Sequence, residues 1–135
     1  MLKTATAYLS FALAFGALDF VWLSQMAPRV YRPAIGEIMA DQVRWGPALA
    51  FYLIYVLGVT LLVVMPALRD GGVMRAAWTG ALFGFVAYAT YDLTNQATLR
   101  VWPTHLSLTD MAWGTVATAV ASIVAVIATR MIVRV

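Results

Sequence analysis

The chain has 135 residues, of which 63% are apolar and 11% charged, with one histidine and no cysteine. Soluble domains carry about 25% charged residues, so a water-soluble fold is excluded, as are disulfide bonds and metal sites built from several cysteine or histidine ligands. The net charge of +3 comes from dispersed basic residues, which argues against a nucleic-acid partner. We predict an all-α membrane protein forming one domain, residues 1–135, with membrane lipids as its surroundings.

Four apolar stretches are long enough to cross the hydrocarbon core, which takes about 20 helical residues. They cover residues 4–26, 46–68, 76–99 and 110–132. We therefore predict four transmembrane helices. The first is expected to be a retained helix rather than a signal peptide, because no small-x-small cleavage site follows it.

The segments between these stretches have distinct compositions. Residues 69–72 form a tight polar turn, and Pro103 with the polar segment 104–109 separates the third and fourth helices. In the longer connection 27–44, apolar residues after Pro33 recur at helical spacing with charged residues between them. This pattern predicts a short amphipathic helix on the membrane surface after the first span.

Four crossings place both termini on the same side of the membrane. That side would carry five basic residues and the other side four. Under the positive-inside rule this small excess predicts cytoplasmic termini in a bacterial inner (plasma) membrane. The five are Lys3, Arg69, Arg75, Arg130 and Arg134, and the four are Arg29, Arg32, Arg44 and Arg100.

The two halves of the chain resemble each other. Residues 25–31 and 96–102 both follow the pattern Gln-x-x-x-Arg-Val-aromatic, and an Asp before a Trp-Gly pair follows in each half. We predict a duplicated helical hairpin, with repeats 1–68 and 73–135 related by an approximate two-fold along the membrane normal. Chance similarity between amphipathic helix ends is the alternative.

Polar and aromatic side chains gather toward the end of the molecule that holds the first and third loops. An aspartate at the centre of a transmembrane helix costs about 2.5–3.5 kcal/mol on the insertion scale, yet Asp19 and Asp92 both lie inside predicted spans. Such residues either bind a ligand or hold helices together, and Arg29 and Arg100 are expected as counter-ions. The predicted ligand-binding residues are Asp19, Tyr88, Tyr91, Asp92, Asn95, Arg100, Asp110 and Trp113.

Small residues recur every four positions on the last two helices. Gly80 and Gly84 lie on the third helix, and Gly114, Thr118 and Ser122 lie on the fourth. Small residues at this spacing let membrane helices approach closely, so we expect the third and fourth helices to pack against each other and against the first.

The segment Tyr91-Asp92-Leu93-Thr94-Asn95, followed by Trp102-Pro103, resembles a bacterial membrane-protein family designated domain of unknown function 2177. Residues 18–23 and 110–114 are similar to the same family pattern. The resemblance implies a four-helix inner-membrane protein and a single site containing these residues. It implies no activity.

Several functions are compatible with these features. The leading hypothesis is binding of a small amphiphilic molecule or lipid in a polar-aromatic pocket near one membrane face. The alternative is a small proton- or ion-coupled transporter or channel acting as a homodimer, since four helices are few for a complete pathway. A membrane enzyme without metal or cofactor, and a structural subunit of a larger complex, are further alternatives. Enzymatic activity is not the favoured interpretation.

Overall fold

In a computed structural model, which describes residues 1–134, the chain forms four helical runs and no strand. We name them α1 (Leu2–Ile38), α2 (Trp45–Arg69), α3 (Gly72–Thr98) and α4 (Thr104–Val133). The all-α class is confirmed for these residues; Val135, the last residue of the predicted domain, lies outside them.

Three of the four helices, α1, α2 and α4, are long and apolar enough to cross a membrane. The remaining helix, α3, has 27 residues but carries several polar side chains toward its C-terminal end, and it does not meet the same criterion. Four crossings therefore stay a prediction.

The first helix extends well beyond the predicted span. It is α-helical to Met26, passes through a π turn at Ala27–Tyr31 and continues to Ile38. Pro28 lacks the backbone N–H that would donate a helical hydrogen bond, and a π turn accommodates this missing bond without ending the helix. Residues 39–44 are not helical. The amphipathic helix predicted on the membrane surface is thus not confirmed, because its first part is the end of α1.

The turn between α2 and α3 has the predicted compact form. Gly71 and Gly72 have φ angles of 75° and 54°, a region that favours glycine because it has no Cβ. Across the turn, the Arg75 guanidinium forms an ion pair with the Asp70 carboxylate.

The fourth helix begins six residues earlier than the predicted span. Pro103 is extended, with φ −74° and ψ 149°, and α4 starts at Thr104. The prediction of a loop at 104–109 is therefore wrong, because these residues form the first turns of α4. Leu106 and Ser107 are buried there, so tertiary contacts stabilise helix in a segment whose hydropathy does not indicate a span.

The third and fourth helices pack through the small residues expected from the sequence. A Cβ placed on Gly84 would lie 2.7 Å from Thr118 Oγ1 and 2.8 Å from the carbonyl carbon of Gly114. A Cβ on Gly80 would lie 2.8 Å from Ser122 Oγ. The predicted close approach is confirmed, since backbone and small side chains occupy the space that larger residues would need.

A core forms where α1 and the C-terminal part of α2 meet the α3–α4 pair. Phe11 and Phe15 of α1 are fully buried and stack at 5.5 Å between ring centroids, and Phe15 contacts the Tyr55 ring at 5.2 Å. The N-terminal half of α2 is mostly exposed, with Trp45 69% and Ile54 71% exposed. A cavity lies between this half of α2 and the other helices.

Candidate functional site

A cavity of about 610 Å³ lies beside the N-terminal half of α2 and is lined by residues from all four helices. Its lining is mostly apolar and aromatic, with two carboxyl groups. Five of the eight predicted site residues line it: Asp19, Tyr88, Tyr91, Asp110 and Trp113. The remaining lining residues are Leu23, Ala27, Tyr31, Ile35, Met39, Phe51, Tyr55 and Ala87.

Asp19 joins three helices at the cavity wall. Its side chain is 8% exposed, and its carboxylate accepts hydrogen bonds from the Tyr52 hydroxyl of α2 and from Trp113 Nε1 of α4, the latter at 3.3 Å. An ionised carboxylate only accepts hydrogen bonds, and both neighbours are donors. Asp19 is thus buried in α1, as the sequence predicted, and its carboxylate is hydrogen-bonded to α2 and α4.

Asp110 lies in the second turn of α4 and is 4% exposed. It accepts a hydrogen bond from the Tyr31 hydroxyl, which in turn accepts one from Trp22 Nε1 at 3.0 Å. The Trp22 ring stacks on Trp113 with centroids 4.3 Å apart and an angle of 6° between the planes. Since Trp113 also donates to Asp19, one stacked pair of indoles connects the two carboxyl groups.

Asp92 lies behind the cavity wall rather than in it. Its side chain is fully buried against the carboxyl of Asp110, and neither of its carboxyl oxygens has a hydrogen-bond donor among the residues that the structure describes. Two ionised carboxylates in contact repel each other. Ionisation of both carboxyl groups at once is therefore unfavourable.

Tyr88 enters the cavity through the close contact between α3 and α4. A Cβ on Gly114 would lie 2.7 Å from Tyr88 Cδ1, so the ring packs directly on the α4 backbone. Asp92 follows Tyr88 by four residues, so the ring lies at the cavity wall and the carboxyl group one turn further along α3.

Two predicted site residues, Asn95 and Arg100, do not line this cavity. Asn95 is half-buried on α3, and Arg100 is exposed in the loop that follows. The counter-ion role predicted for Arg100 and Arg29 is not observed: both are exposed, and the sole ion pair within residues 1–134 is Arg75–Asp70. Long basic side chains at helix ends extend toward headgroups and water rather than into the bundle.

Tyr31 and Tyr52, whose hydroxyls bond the two carboxyl groups, are not among the predicted site residues, nor is Tyr55, which lines the cavity. Tyr31 belongs to the repeated Gln-x-x-x-Arg-Val-aromatic pattern, which we interpreted only as a mark of duplication. Tyr52 and Tyr55 lie one helical turn apart on α2, and that spacing was the available signal. Ile35, also missed, packs with Trp102 and Leu106 and fixes the end of α1 beside the cavity.

The chemistry available in the cavity is that of carboxyl, phenol and indole groups in an apolar wall. No group of three or more His, Cys, Asp or Glu residues suited to hold a metal ion occurs in the described part of the chain. Such a wall can hold a molecule with an apolar body and one small polar group.

Long apolar helices enclosing buried carboxyl groups define, as a class, an integral membrane protein. A family model described as "Predicted membrane protein (DUF2177)" matches residues 4–127. The chain therefore belongs to this family, domain of unknown function 2177, which confirms the resemblance found in its motifs. No curated protein and no solved structure matches the chain.

Proposed function

We propose that the protein binds a small amphiphilic molecule or lipid in the cavity between α2 and the other three helices. The observation that supports this most is the cavity itself, whose volume of about 610 Å³ falls within the range of roughly 300–1,000 Å³ typical of small-ligand sites. Such sites are mostly apolar, with a few polar groups that orient the ligand, and Asp19, Asp110 and Tyr31 are polar groups of this kind.

The edges of the cavity support entry from the side of the bundle. Four lining residues are about half exposed, one on each of α1, α2 and α3 and one in the connection after α1: Leu23 44%, Phe51 46%, Tyr91 54% and Met39 40%. Because these side chains are apolar or aromatic, we place the opening between them toward lipid when the protein is in a membrane. An acyl chain can then remain in the bilayer while its polar end reaches the carboxyl groups.

The same proposal places all four helices across a bacterial inner membrane, with both termini in the cytoplasm. Its support is the length of α3, 27 residues or about 40 Å, and its tight packing along α4 at Gly80 and Gly84. The duplicated hairpin, 1–68 and 73–135, is also part of the proposal. Asp19 and Asp92, the corresponding aspartates, are both buried.

Single-cysteine labelling tests the crossing of α3. The chain contains no cysteine, so Asp41→Cys, Asp70→Cys and His105→Cys, all at exposed positions, each give one reactive site. In vesicles of known orientation, a membrane-impermeant maleimide is expected to label Asp70→Cys from one side and the other two variants from the opposite side. Labelling of Asp70→Cys and His105→Cys from the same side would mean that α3 does not cross.

Mass spectrometry of small molecules extracted from gently purified protein tests ligand binding. A specific amphiphile is expected with the wild type, reduced about tenfold or more in Asp19→Asn and Asp110→Asn, since each removes a carboxylate from the cavity wall. Asp41→Asn makes the same chemical change at an exposed position and serves as the control. Bulk membrane lipid alone, in equal amounts in all four proteins, would contradict the proposal.

A transporter or channel acting as a homodimer is the second candidate. The observation that favours it is the Asp92–Asp110 carboxyl pair, because acidic groups that exchange protons or ions inside a helical bundle are typical of coupled transport. Proton or cation flux into liposomes that is lost in Asp92→Asn would support it. A protein that stays monomeric in membranes, with flux insensitive to this change, would contradict it.

A further inference from the structure

We infer that the ligand of the cavity is an amphiphilic cation, with an amine or quaternary ammonium head held near Asp19 and Asp110 and faced by aromatic rings. This inference rests on the proposed function and adds the chemical class of the ligand.

The charge of the cavity wall is entirely acidic. Asp19 and Asp110 line it, and no arginine, lysine or histidine does. Neither carboxyl group forms an ion pair with a basic side chain in residues 1–134. A buried carboxylate without a cationic partner is costly, so a positive charge on the ligand would supply the missing partner.

Asp92 adds an independent observation. It is fully buried, its two oxygens have no hydrogen-bond donor within the described residues, and it lies against Asp110. Three carboxyl groups are thus collected at one end of the bundle with no basic side chain among them. A cation bound near Asp110 would offset the negative charge of an ionised carboxylate at this point.

The hydrogen-bond donors of the wall argue against an anionic head group. The Tyr31 hydroxyl and Trp113 Nε1 face the cavity, but each already donates to a carboxylate, Asp110 and Asp19 respectively. Tyr88 and Tyr91 also line the cavity, but their hydroxyls are neutral donors, and a phosphate or sulfate would lie in a wall with two carboxyl groups and no basic side chain to balance its charge. A cation is attracted both by the carboxylates and by the aromatic faces.

Aromatic rings make up a large part of the wall. Five aromatic side chains other than Tyr31 line the cavity: Phe51, Tyr55, Tyr88, Tyr91 and Trp113. The face of an aromatic ring attracts a cation, and cages of such rings are the usual way in which proteins recognise quaternary ammonium groups. The apolar remainder of the wall, including Leu23 and Met39 at its half-exposed edge, suits a hydrocarbon chain.

The test compares two probes that share a chain and a head-group size but differ in net charge: dodecyltrimethylammonium, and dodecyldimethylamine oxide at pH 8, where it is neutral overall. Each is titrated below its critical micelle concentration into full-length protein in lipid nanodiscs, with empty nanodiscs subtracted. Binding is followed by tryptophan fluorescence, since Trp113 lines the cavity. The cation is expected to bind about tenfold more tightly than the amine oxide.

Three variants test whether the preference for the cationic probe depends on the carboxyl groups of the cavity. In Asp19→Asn and Asp110→Asn the preference for the cation is expected to fall to about twofold or less, whereas in Asp41→Asn, altered at an exposed position, it is retained. Circular dichroism checks that each variant is folded. If Asp110→Asn fails to fold, the comparison of the two probes on the wild type still decides the question.

The outcomes separate this inference from the proposed function. Equal, saturable binding of both probes by the wild type would overturn the cationic head group while leaving amphiphile binding intact. A tenfold preference that persists in both cavity variants would place the cation elsewhere and overturn the inference. If neither probe binds saturably, both the inference and the proposed function are wrong.

Discussion

Replacing Gly84 by alanine is expected to lower the free energy of unfolding by about 1–3 kcal/mol. The added Cβ would overlap the carbonyl group of Gly114 and lie 2.7 Å from Thr118 Oγ1. Because backbone atoms of α4 cannot rotate away, the two helices must separate. In a membrane, where helix association depends on van der Waals packing rather than on the hydrophobic effect, such a separation removes much of what holds α3 to α4. Unfolding in mixed micelles, followed by circular dichroism, measures the loss.

Gly16→Ala is the matched control for this prediction. Gly16 lies in α1, and a Cβ at this position would meet no atom within 4 Å. Alanine is favoured over glycine within a helix by up to about 1 kcal/mol, so this variant is expected to be as stable as the wild type or slightly more so. Equal destabilisation by Gly16→Ala and Gly84→Ala would contradict the close packing of α3 on α4.

Ala87→Trp is expected to weaken amphiphile binding by about tenfold or more without changing any charge. Ala87 lies on α3 and lines the cavity, so an indole at this position occupies space that the ligand needs. Ala27→Trp enlarges a side chain of the opposite wall, on α1, and is expected to have the same effect. The dodecyltrimethylammonium titration in nanodiscs measures both.

Ala17→Trp is the control for these two changes, because Ala17 lies on the exposed face of α1 and does not line the cavity. Its affinity for the probe is expected to equal that of the wild type. An unchanged affinity in both Ala87→Trp and Ala27→Trp, in proteins shown to be folded, would mean that the probe binds outside this cavity.

Binding and transport make different demands on the same carboxyl groups. A binding protein needs Asp19 and Asp110 only as fixed negative charges beside the ligand. A transporter also needs the Asp92–Asp110 pair to gain and lose a proton or cation during its cycle. Loss of flux in Asp92→Asn with unchanged probe affinity would therefore distinguish the second candidate from the first.

Composition and residue spacing were enough to predict the class of the protein and several features of its site. Long apolar stretches have no other stable environment than a bilayer, so the membrane class follows from composition alone. The cost of placing an aspartate in hydrocarbon singled out Asp19 and Asp92, both of which are buried. The four-residue spacing of Gly80 and Gly84 on one helix, and of Gly114, Thr118 and Ser122 on the next, indicated close helix packing, because every fourth residue lies on the same side of a helix.

Which groups meet at the cavity depends on tertiary packing and could not be predicted. Tyr31 bonds Asp110 across 79 residues of sequence and Tyr52 bonds Asp19 across 33, and no local pattern encodes pairs so distant. Packing also determined where α1 ends and α4 begins. Ile35, near the end of α1, and Leu106, near the start of α4, pack together with Trp102 in one buried cluster. Arg100, expected as a counter-ion, is exposed in a loop, because a basic side chain near a helix end gains more from water and headgroups than from a buried pair.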